Sequence, residues 1–462
     1  MNFSAVRRDF FAGAVAPFVL LRFTSSESSE AKSSFVYETA RPVAVGRKGS
    51  ASLSLLDRRR VDQSDLAAHD YLWKTYSAGN HRDRALVERL GLHSTLRDLM
   101  PDDLNSQYGY QRVRSAESKN AHPTPESWSH LDSINSFTSW GPIEDVERVP
   151  PHVKFAPDST LFLEPTVAVS RLVSPRFGPH VRLLDKPLAF RHTYYGLPFG
   201  HRPEWQARVA VGLLLSSVGR YWLYMVSGSW GSWKDEVRAQ QLLDFPMVLD
   251  SSDPATTRMV QAVDSLPLAR GDEQLSFDPR EAPTPSSLLE VINQSAFDLF
   301  RLSPSERDLV EDFWAARNRR HEVPIRKTND EGRAVLERYD DTFRSAWKPL
   351  FGDDLHFSTT FHHDPRAEVL AAVFRSQSGA LPSEQETVDV DAEWQDVLAS
   401  YAAALAGRAK YRMLERGEMR VVTDSAIIVA KRNAQRYWSA SAARDDADAA
   451  IAQLLALQAT KR

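Results

Sequence analysis

Apolar residues recur at three- and four-residue steps through WQARVAVGLLLSSVGRYWLYMVSGS, where Ala210, Leu213, Leu214, Val218, Trp222 and Met225 fall on one stripe. This spacing predicts one long helix ended by Gly228. A second helix is predicted over residues 234–243, closed by Pro246. Residues 63–100 share the helical period, with Leu86, Val87, Leu90 and Leu96 on the core face and Asp83 near a helix start. Residues 286–314, residues 394–414 and the Ala-rich stretch from about Ser441 complete the predicted helices. Strands are read where β-branched and aromatic residues alternate or cluster between Pro and Gly. These are residues 18–23, after a short helix and a turn at Gly13 and Ala14, then FVYETARPVAV, STLFLEPTVAVSRLV, HVRLLDKPLAFRHTYYGL and residues 419–431. TSSESSEAKSS is a polar loop. Residues 101–151 are turn-rich, with scattered Tyr108, Tyr110, Trp128 and Trp140, and read as an interdomain boundary.

Helices and strands interspersed along the chain predict an α+β (mixed α/β) fold. With 462 residues, the chain is long enough for two to four domains, each burying its own core. The absence of cysteine excludes disulfides, thiol nucleophiles and cysteine-ligated metal sites, and fits a cytoplasmic location. The apolar run over residues 10–23 superficially resembles a signal peptide, but Gly13, Pro17 and Arg22 interrupt it and it is too short to span a bilayer. A buried strand is the expectation there, and no targeting or membrane segment is read. A net charge of −4 argues against coating nucleic acid by bulk electrostatics, so any DNA contact must use a local basic cleft.

Several segments, in one order, resemble the later part of adenine-N6 DNA methyltransferases of type I and type IIG restriction-modification systems. RRDFF followed by APFVLLRF is similar to the end of the Rossmann-like methyltransferase sheet. DYLWKTYSAGNHRDRALVERL, with Trp73, Lys74, Gly79, Asp83 and Leu90, is similar to the segment that follows it. TLRDLMPDDLNSQYGYQ, with Gly109, Tyr110 and Gln111, resembles the approach to the target-recognition domain. The segment VAVGLLLSSVGRYWLYMVSGSWGSWKDEVRAQQLLDFPM resembles that domain's most recognisable part: Ser216 and Ser217, an aromatic run, an SGSWG turn and an LxxFP-like stop. INQSAFDLFRLSPSERDLVE is similar to the helical tail. The resemblance covers about two thirds of the chain. It implies a methyltransferase-like sheet tail over residues 1–60, a helical connector over 61–100 and a target-recognition domain over 101–316; residues 317–462, outside the resemblance, read from their pattern as a C-terminal α+β unit of unknown role.

Methyl transfer in this family needs a glycine-rich loop for S-adenosylmethionine and an Asp/Asn-Pro-Pro-aromatic tetrapeptide that grips the flipped adenine. Neither motif is present, since Pro150 and Pro151 lie between Val149 and His152 and no Gly-x-Gly loop follows a strand. The chain is therefore expected to lack the catalytic part of that domain and to hold no catalytic, cofactor or metal site. S-adenosylmethionine would lie on a partner chain. Expected partners are double-stranded DNA and a methyltransferase catalytic subunit or another phage-defence protein, with no membrane. The alternatives are a protein-binding assembly subunit and a methyltransferase remnant.

If the resemblance holds, Arg220, Tyr224, Ser227, Ser229, Trp230, Trp233, Lys234 and Arg238, around the SGSWG turn, would border DNA. Ser and Gly at a turn offer N–H groups to phosphate, and Arg and Lys supply charge. Tyr110, Gln111, Arg191, Tyr194 and Tyr195 are further candidates, with His192 in the same loop, because Arg pairs with guanine and Tyr stacks on bases. The same aromatics read equally as core residues.

ARNRRHEVPIRK is either a phosphate track or a solvated basic helix end. Pro101-Asp102 with Glu117-Ser118-Lys119 formally fits a nuclease pattern, but its setting is too polar for the apolar strands such sites need. His356, His362, His363 and Asp364 have metal-ligand chemistry, but a strand leading to a capped helix accounts for them better. Lys431, Arg432, Arg436, Tyr437 and Trp438 form either a packed strand–helix junction or an interface.

Overall fold

Helices and strands intermingle along the chain in several small sheets, and the protein is of the mixed α+β class. The computed structural model describes residues 1–3, 6, 19–21, 34–42, 51–53, 57–102, 108–113, 121–174, 178–232, 234–269, 283–318, 322–326, 328–352, 357–364, 369–376, 414–415, 418–422 and 426–460. In chain order the main strands are β1 (Ser34–Glu38), β2 (Arg58–Asp62), β3 (Asp132–Ile134), β4 (Val146–Arg148), β5 (Thr166–Ser174), β6 (Gly178–Leu184) and β7 (Tyr194–Pro198). They continue with β8 (Phe357–Asp364), β9 (Val369–Ser376), β10 (Glu418–Val422) and β11 (Ala426–Arg432). The main helices are α1 (Leu72–Ala78), α2 (His81–Leu90), α3 (Glu204–Leu215), α4 (Ser217–Val226) and α5 (Pro254–Ser265). After them come α6 (Pro285–Leu299), α7 (Pro304–Asp312), α8 (Asp330–Ser345) and α9 (Ala440–Thr460).

The chain divides into two compact units, one formed by Met1–Asn80 with Asp308–Arg462, the other by His81–Arg307. These boundaries differ from those expected at residues 60, 100 and 316: the N-terminal segment belongs with the C-terminal one, and residues 101–151 lie inside a unit. The reason for the second difference is visible in the packing. Trp128, Ile134, Phe137 and Tyr110 are buried with Phe162 and Phe190 in one aromatic cluster, and the Trp128 and Phe162 rings meet edge to face at 5.0 Å. Turn-rich sequence here packs into a core that it shares with residues 161–194.

In the first unit, β8, β9, β11 and β10 form an antiparallel sheet in that order. The strand expected over residues 419–431 is therefore the hairpin β10–β11, paired from Glu418–Lys431 to Val422–Ile427. Helices α8 and α9 pack on the sheet, with Leu336, Tyr339 and Phe343 meeting Phe374, Ile427 and Val429, and Ala443, Ala447 and Ala450 facing the same core. Small residues on α9 let it approach closely. The N-terminal strands β1 and β2 form an antiparallel ribbon over a cluster of Tyr37, Val61, Leu66, Leu72 and Tyr76. The expected short helix, the turn at Gly13 and Ala14, and all but the exposed Val19, Leu20 and Leu21 of the strand at 18–23 lie outside the described residues, as does the helix over 394–414 but for its last residue.

A charge network is buried in this core. Lys431 and Asp446 are both fully buried and pair directly. Asp446 also accepts from the Tyr339 hydroxyl at 2.6 Å and from Arg420 at 2.8 Å, and Lys431 donates to the Tyr437 carbonyl at 3.0 Å. Burial, and then the Asp446 carboxylate, push the Tyr339 hydroxyl well above its ordinary value, so it stays a donor.

In the second unit, β6, β5 and β7 form an antiparallel sheet against which α3 packs, with α5 and α6 behind it. The long helix expected through residue 227 is instead two, α3 and α4, bent by 67°. Ser216 adopts an extended conformation, accepts from the Gly219 N–H at 3.0 Å and donates to the Leu213 carbonyl at 2.7 Å, while Asn293 of α6 accepts from the Ser217 N–H at 2.7 Å. A Cβ at position 219 would fall 1.9 Å from the Leu213 carbonyl oxygen, so only glycine permits the crossing. The helix expected over 234–243 shortens to Ala239–Leu243. Among the described residues no single helix is long and apolar enough to cross a membrane.

The helix expected over 286–314 also breaks. Arg301 is left-handed at φ 51°, its N–H donates to Asp298 O at 3.0 Å, and the Leu302 N–H donates to Phe297 O at 2.9 Å, which closes α6 in a Schellman motif. Glu306 then accepts from the Ser303 N–H at 2.8 Å to open α7. Arg301→Gly should raise stability by about 0.5–1 kcal/mol in urea denaturation, because glycine adopts positive φ without strain and the exposed Arg301–Asp253 pair contributes little. Lys431→Met should cost roughly 3–5 kcal/mol by leaving Asp446 buried without its cation, and the double variant with Asp446→Asn should recover at least about 1 kcal/mol of it. A double variant no more stable than the single one would contradict this account of the pair.

Candidate nucleic-acid interface

The two groups of sequence-predicted residues meet at β5. Its ladder with β6 runs from Thr166–Leu184 to Val169–Val181, then shifts register before Val173–Pro179. In the bulge, Ser170 donates from Oγ to Leu172 O at 2.7 Å and accepts from the His180 N–H at 2.8 Å. On the other edge β5 pairs with β7 only as far as Ser170–Tyr194. Beyond it, the segment after the SGSWG turn takes over: the Val173 N–H donates to Asp235 O at 2.9 Å and the Val237 N–H donates to Arg171 O at 3.0 Å.

Arg171 is the centre of this junction. Its guanidinium lies 5.3 Å from the Tyr108 ring centre and 5.9 Å from that of Tyr195, and 3.8 Å from a Glu236 carboxylate oxygen. Tyr195 is buried and donates from its hydroxyl to Val237 O at 3.0 Å, so one side chain ties the 191–195 group to the 220–238 group. Burial, with Tyr108 adding to it, pushes the Tyr195 hydroxyl far up. The sequence reading missed Arg171 and Glu236; the signal was the polar pair Ser170-Arg171 inside an otherwise apolar strand.

Most predicted side chains form the frame and do not reach solvent. Tyr110 is fully buried, its hydroxyl 2.9 Å from that of Ser133, and Tyr194 stacks on Phe137 at 4.6 Å. Half-buried Gln111 lies in a short strand paired with Phe155. Arg191 and Arg112 both hold Glu147, and the Arg191 hydrogen bond leads in keeping that carboxyl below its ordinary value. Tyr224 meets Trp230 edge to face at 5.3 Å. Buried Ser227 accepts from the Trp230 N–H at 3.1 Å and donates to Glu236 O, and Ser229 is buried beside it. Arg220 is half-buried against Gly178, and burial pushes its guanidinium down to about 10. Lys234 and Arg238 are exposed, and Trp233 lies outside the described residues. Burial, then Arg171 and Arg191, lower the His192 imidazole and favour its neutral form.

The junction thus presents Lys234, Asp235 and Arg238, partly exposed Arg171 with Glu236, and a Leu172 that is 65% exposed, over a buried aromatic frame. Such a surface offers phosphate contacts and an apolar tip. Of the other candidates, Glu117-Ser118-Lys119, His356, Arg319 and Arg320 lie outside the described residues. The His363 Nε2 is 3.0 Å from the Asn433 amide, and no group of three or more metal-ligating side chains occurs among the described residues. Tyr437 and Trp438 are buried in the core of the first unit. What the fold defines is a class, a two-unit α+β protein with a charged junction at a bulged strand. No protein-family model matches the chain, and a comparison with curated proteins returns no match.

The turn itself is testable. Gly231 sits at φ 71°, and a Cβ there would lie 2.7 Å from the Tyr224 hydroxyl oxygen and 2.9 Å from its ring, whereas Gly228 has open space. Gly231→Ala should cost roughly 1–3 kcal/mol and alter tryptophan fluorescence through Trp230, while Gly228→Ala should cost well under about 1 kcal/mol. Chemical denaturation followed by fluorescence reads both, and equal losses would contradict the packing described.

Proposed function

We propose that this protein is the DNA target-recognition component of an adenine-N6 DNA methyltransferase or related restriction-modification or phage-defence system, acting in the cytoplasm. The observation that carries this reading is the meeting of the two predicted segments at the bulge of β5, with Lys234 and Arg238 exposed beside Arg171. The aromatics hold the turn and the strand in register, and the exposed cations contact phosphates. The resemblance of the segments, in order, supplies the rest of the argument. The sequence has neither the glycine-rich loop nor the Asp/Asn-Pro-Pro-aromatic tetrapeptide, so S-adenosylmethionine and the base chemistry belong to a partner methyltransferase subunit.

The proposal predicts a measurable salt dependence. The logarithm of the DNA association constant should fall linearly with the logarithm of salt concentration, by about 0.9 per neutralised phosphate. The double variant Lys234→Ala, Arg238→Ala should bind duplexes more weakly and flatten that slope by up to about 2. Fluorescence anisotropy with labelled duplexes reads both quantities. An unchanged affinity and slope would remove this junction from the DNA contact, and no binding by the wild-type chain with or without its partner subunit would leave a protein-binding assembly role.

A further inference from the structure

The turn that closes α6 contains Arg301, the only residue other than glycine with positive φ among the described residues. The turn itself makes no use of its side chain. Both closing hydrogen bonds come from backbone N–H groups, and buried Leu302 supplies the apolar contact that accompanies such a motif. Glycine would close α6 with less strain, so the guanidinium is present at a cost to the fold.

The side chain instead lines an open cavity of ≈ 420 Å³ in the second unit. Arg258 of α5, Arg307 of α7, Asp298 at the end of α6 and Asp253 at the start of α5 form the rest of its polar wall. Three guanidinium groups thus meet two carboxylates. Asp298 serves two of them, accepting from Arg258 at 2.7 Å on one oxygen and from Arg307 at 2.9 Å on the other. Asp253 accepts from Arg301 at 3.0 Å on one oxygen and from the Ala255 N–H at 2.8 Å on the other, which caps α5. Asp250, the next acid, accepts from the Ser252 N–H and hydroxyl at 2.9 and 2.6 Å, and Arg301 adds to those bonds in holding its carboxyl below the ordinary value.

The acids steady the guanidinium groups without saturating them. Arg307 donates from Nε to the Leu302 carbonyl at 3.1 Å and lies 5.6 Å from the Phe297 ring centre. Arg258 and Arg301 each engage a carboxylate through Nη2 alone, and among the described residues their Nε and Nη1 atoms have no protein partner. The Arg301 side chain is 76% exposed. Ion pairs this exposed contribute little stability, so holding the fold does not account for an arginine at this strained position. A guanidinium fork braced by a carboxylate on one edge and open on the other presents donors at the spacing of phosphate oxygens. The cavity is open, which suits a phosphodiester strand crossing the surface better than a small enclosed anion.

We infer that Arg301, with Arg258 and Arg307, forms a phosphate site for the backbone of duplex DNA, built from none of the residues of the β5 junction. The inference rests on the reading of this protein as a DNA-recognition component and adds a second backbone contact to it.

The experiment is duplex binding by fluorescence anisotropy across a salt series, for the full chain and for the variants Arg301→Gly and Arg258→Gln with Arg301→Gly. Arg301→Gly should weaken binding roughly three- to tenfold and flatten the salt slope by about 0.9, and the double variant should flatten it by about 1.8. The urea midpoint of Arg301→Gly should be no lower than that of the wild type, so that lost binding cannot be lost folding. In parallel, duplex DNA should slow phenylglyoxal modification of Arg258 and Arg301 in the wild type, a readout that needs no variant to fold. Unchanged affinity and slope in both variants would overturn this site, and the Lys234→Ala, Arg238→Ala variant then decides the β5 junction separately. Weaker binding with an unchanged slope would make Arg301 a structural residue and overturn it too. Protection by pyrophosphate equal to that by duplex, at the same ionic strength, would assign the site to a free anion and not to DNA. Absence of duplex binding by the wild type, with or without the proposed methyltransferase subunit, would remove both contacts.

Discussion

Everything proposed about DNA depends on β5 exchanging partners. β7 begins at Tyr194, and beyond Ser170 the segment after the SGSWG turn takes its place on that edge of β5. At the bulge filled by Ser170, Arg171 O and the Val173 N–H bond with residues 237 and 235. Tyr195 fixes the exchange through its hydroxyl on Val237. Residues more than a hundred positions apart, from Tyr108 to Val237, thereby share one edge, where Lys234, Asp235 and Arg238 remain in solvent beside Leu172.

The other unit solves a different problem. Its two central strands are buried along nearly their full length, yet β11 ends in Lys431 and Arg432, so charge enters the core. Each is met by an acid from elsewhere in the chain, Asp446 from α9 and Glu322 from before α8. Buried pairs of this kind contribute little net stability but penalise any packing that separates them, which selects one register for β11 and one seat for α9.

Much of this was legible in the sequence, element by element. The periodicity of residues 63–100, the strands around Val167, Val181 and Tyr195, and the Ala-rich terminal helix are all where the pattern puts them. The helix breaks were not anticipated, although their signals are local. Ser216 three residues before Gly219, and Ser303-Pro304-Ser305-Glu306, are helix-start chemistry inside otherwise continuous helical periods. The role of residues 101–151 was not legible, because the short strand Asp132–Ile134 pairs with Ala189–Phe190 far along the chain and no local pattern encodes that. At the candidate interface, residue type alone does not separate a tyrosine that stacks on a base from one that packs in a core; Tyr110, Tyr194 and Tyr195 turn out to pack. Arg171 was overlooked because it interrupts an apolar strand, the same feature that makes it the hub.

The most direct measurement is selection of bound sequences from a pool of random DNA duplexes by the full chain, with and without the proposed methyltransferase subunit, at near-physiological salt. The account predicts that one short sequence is enriched and that raising the salt weakens binding to all duplexes together. Recovery of the pool without enrichment in either condition would contradict target recognition by this protein.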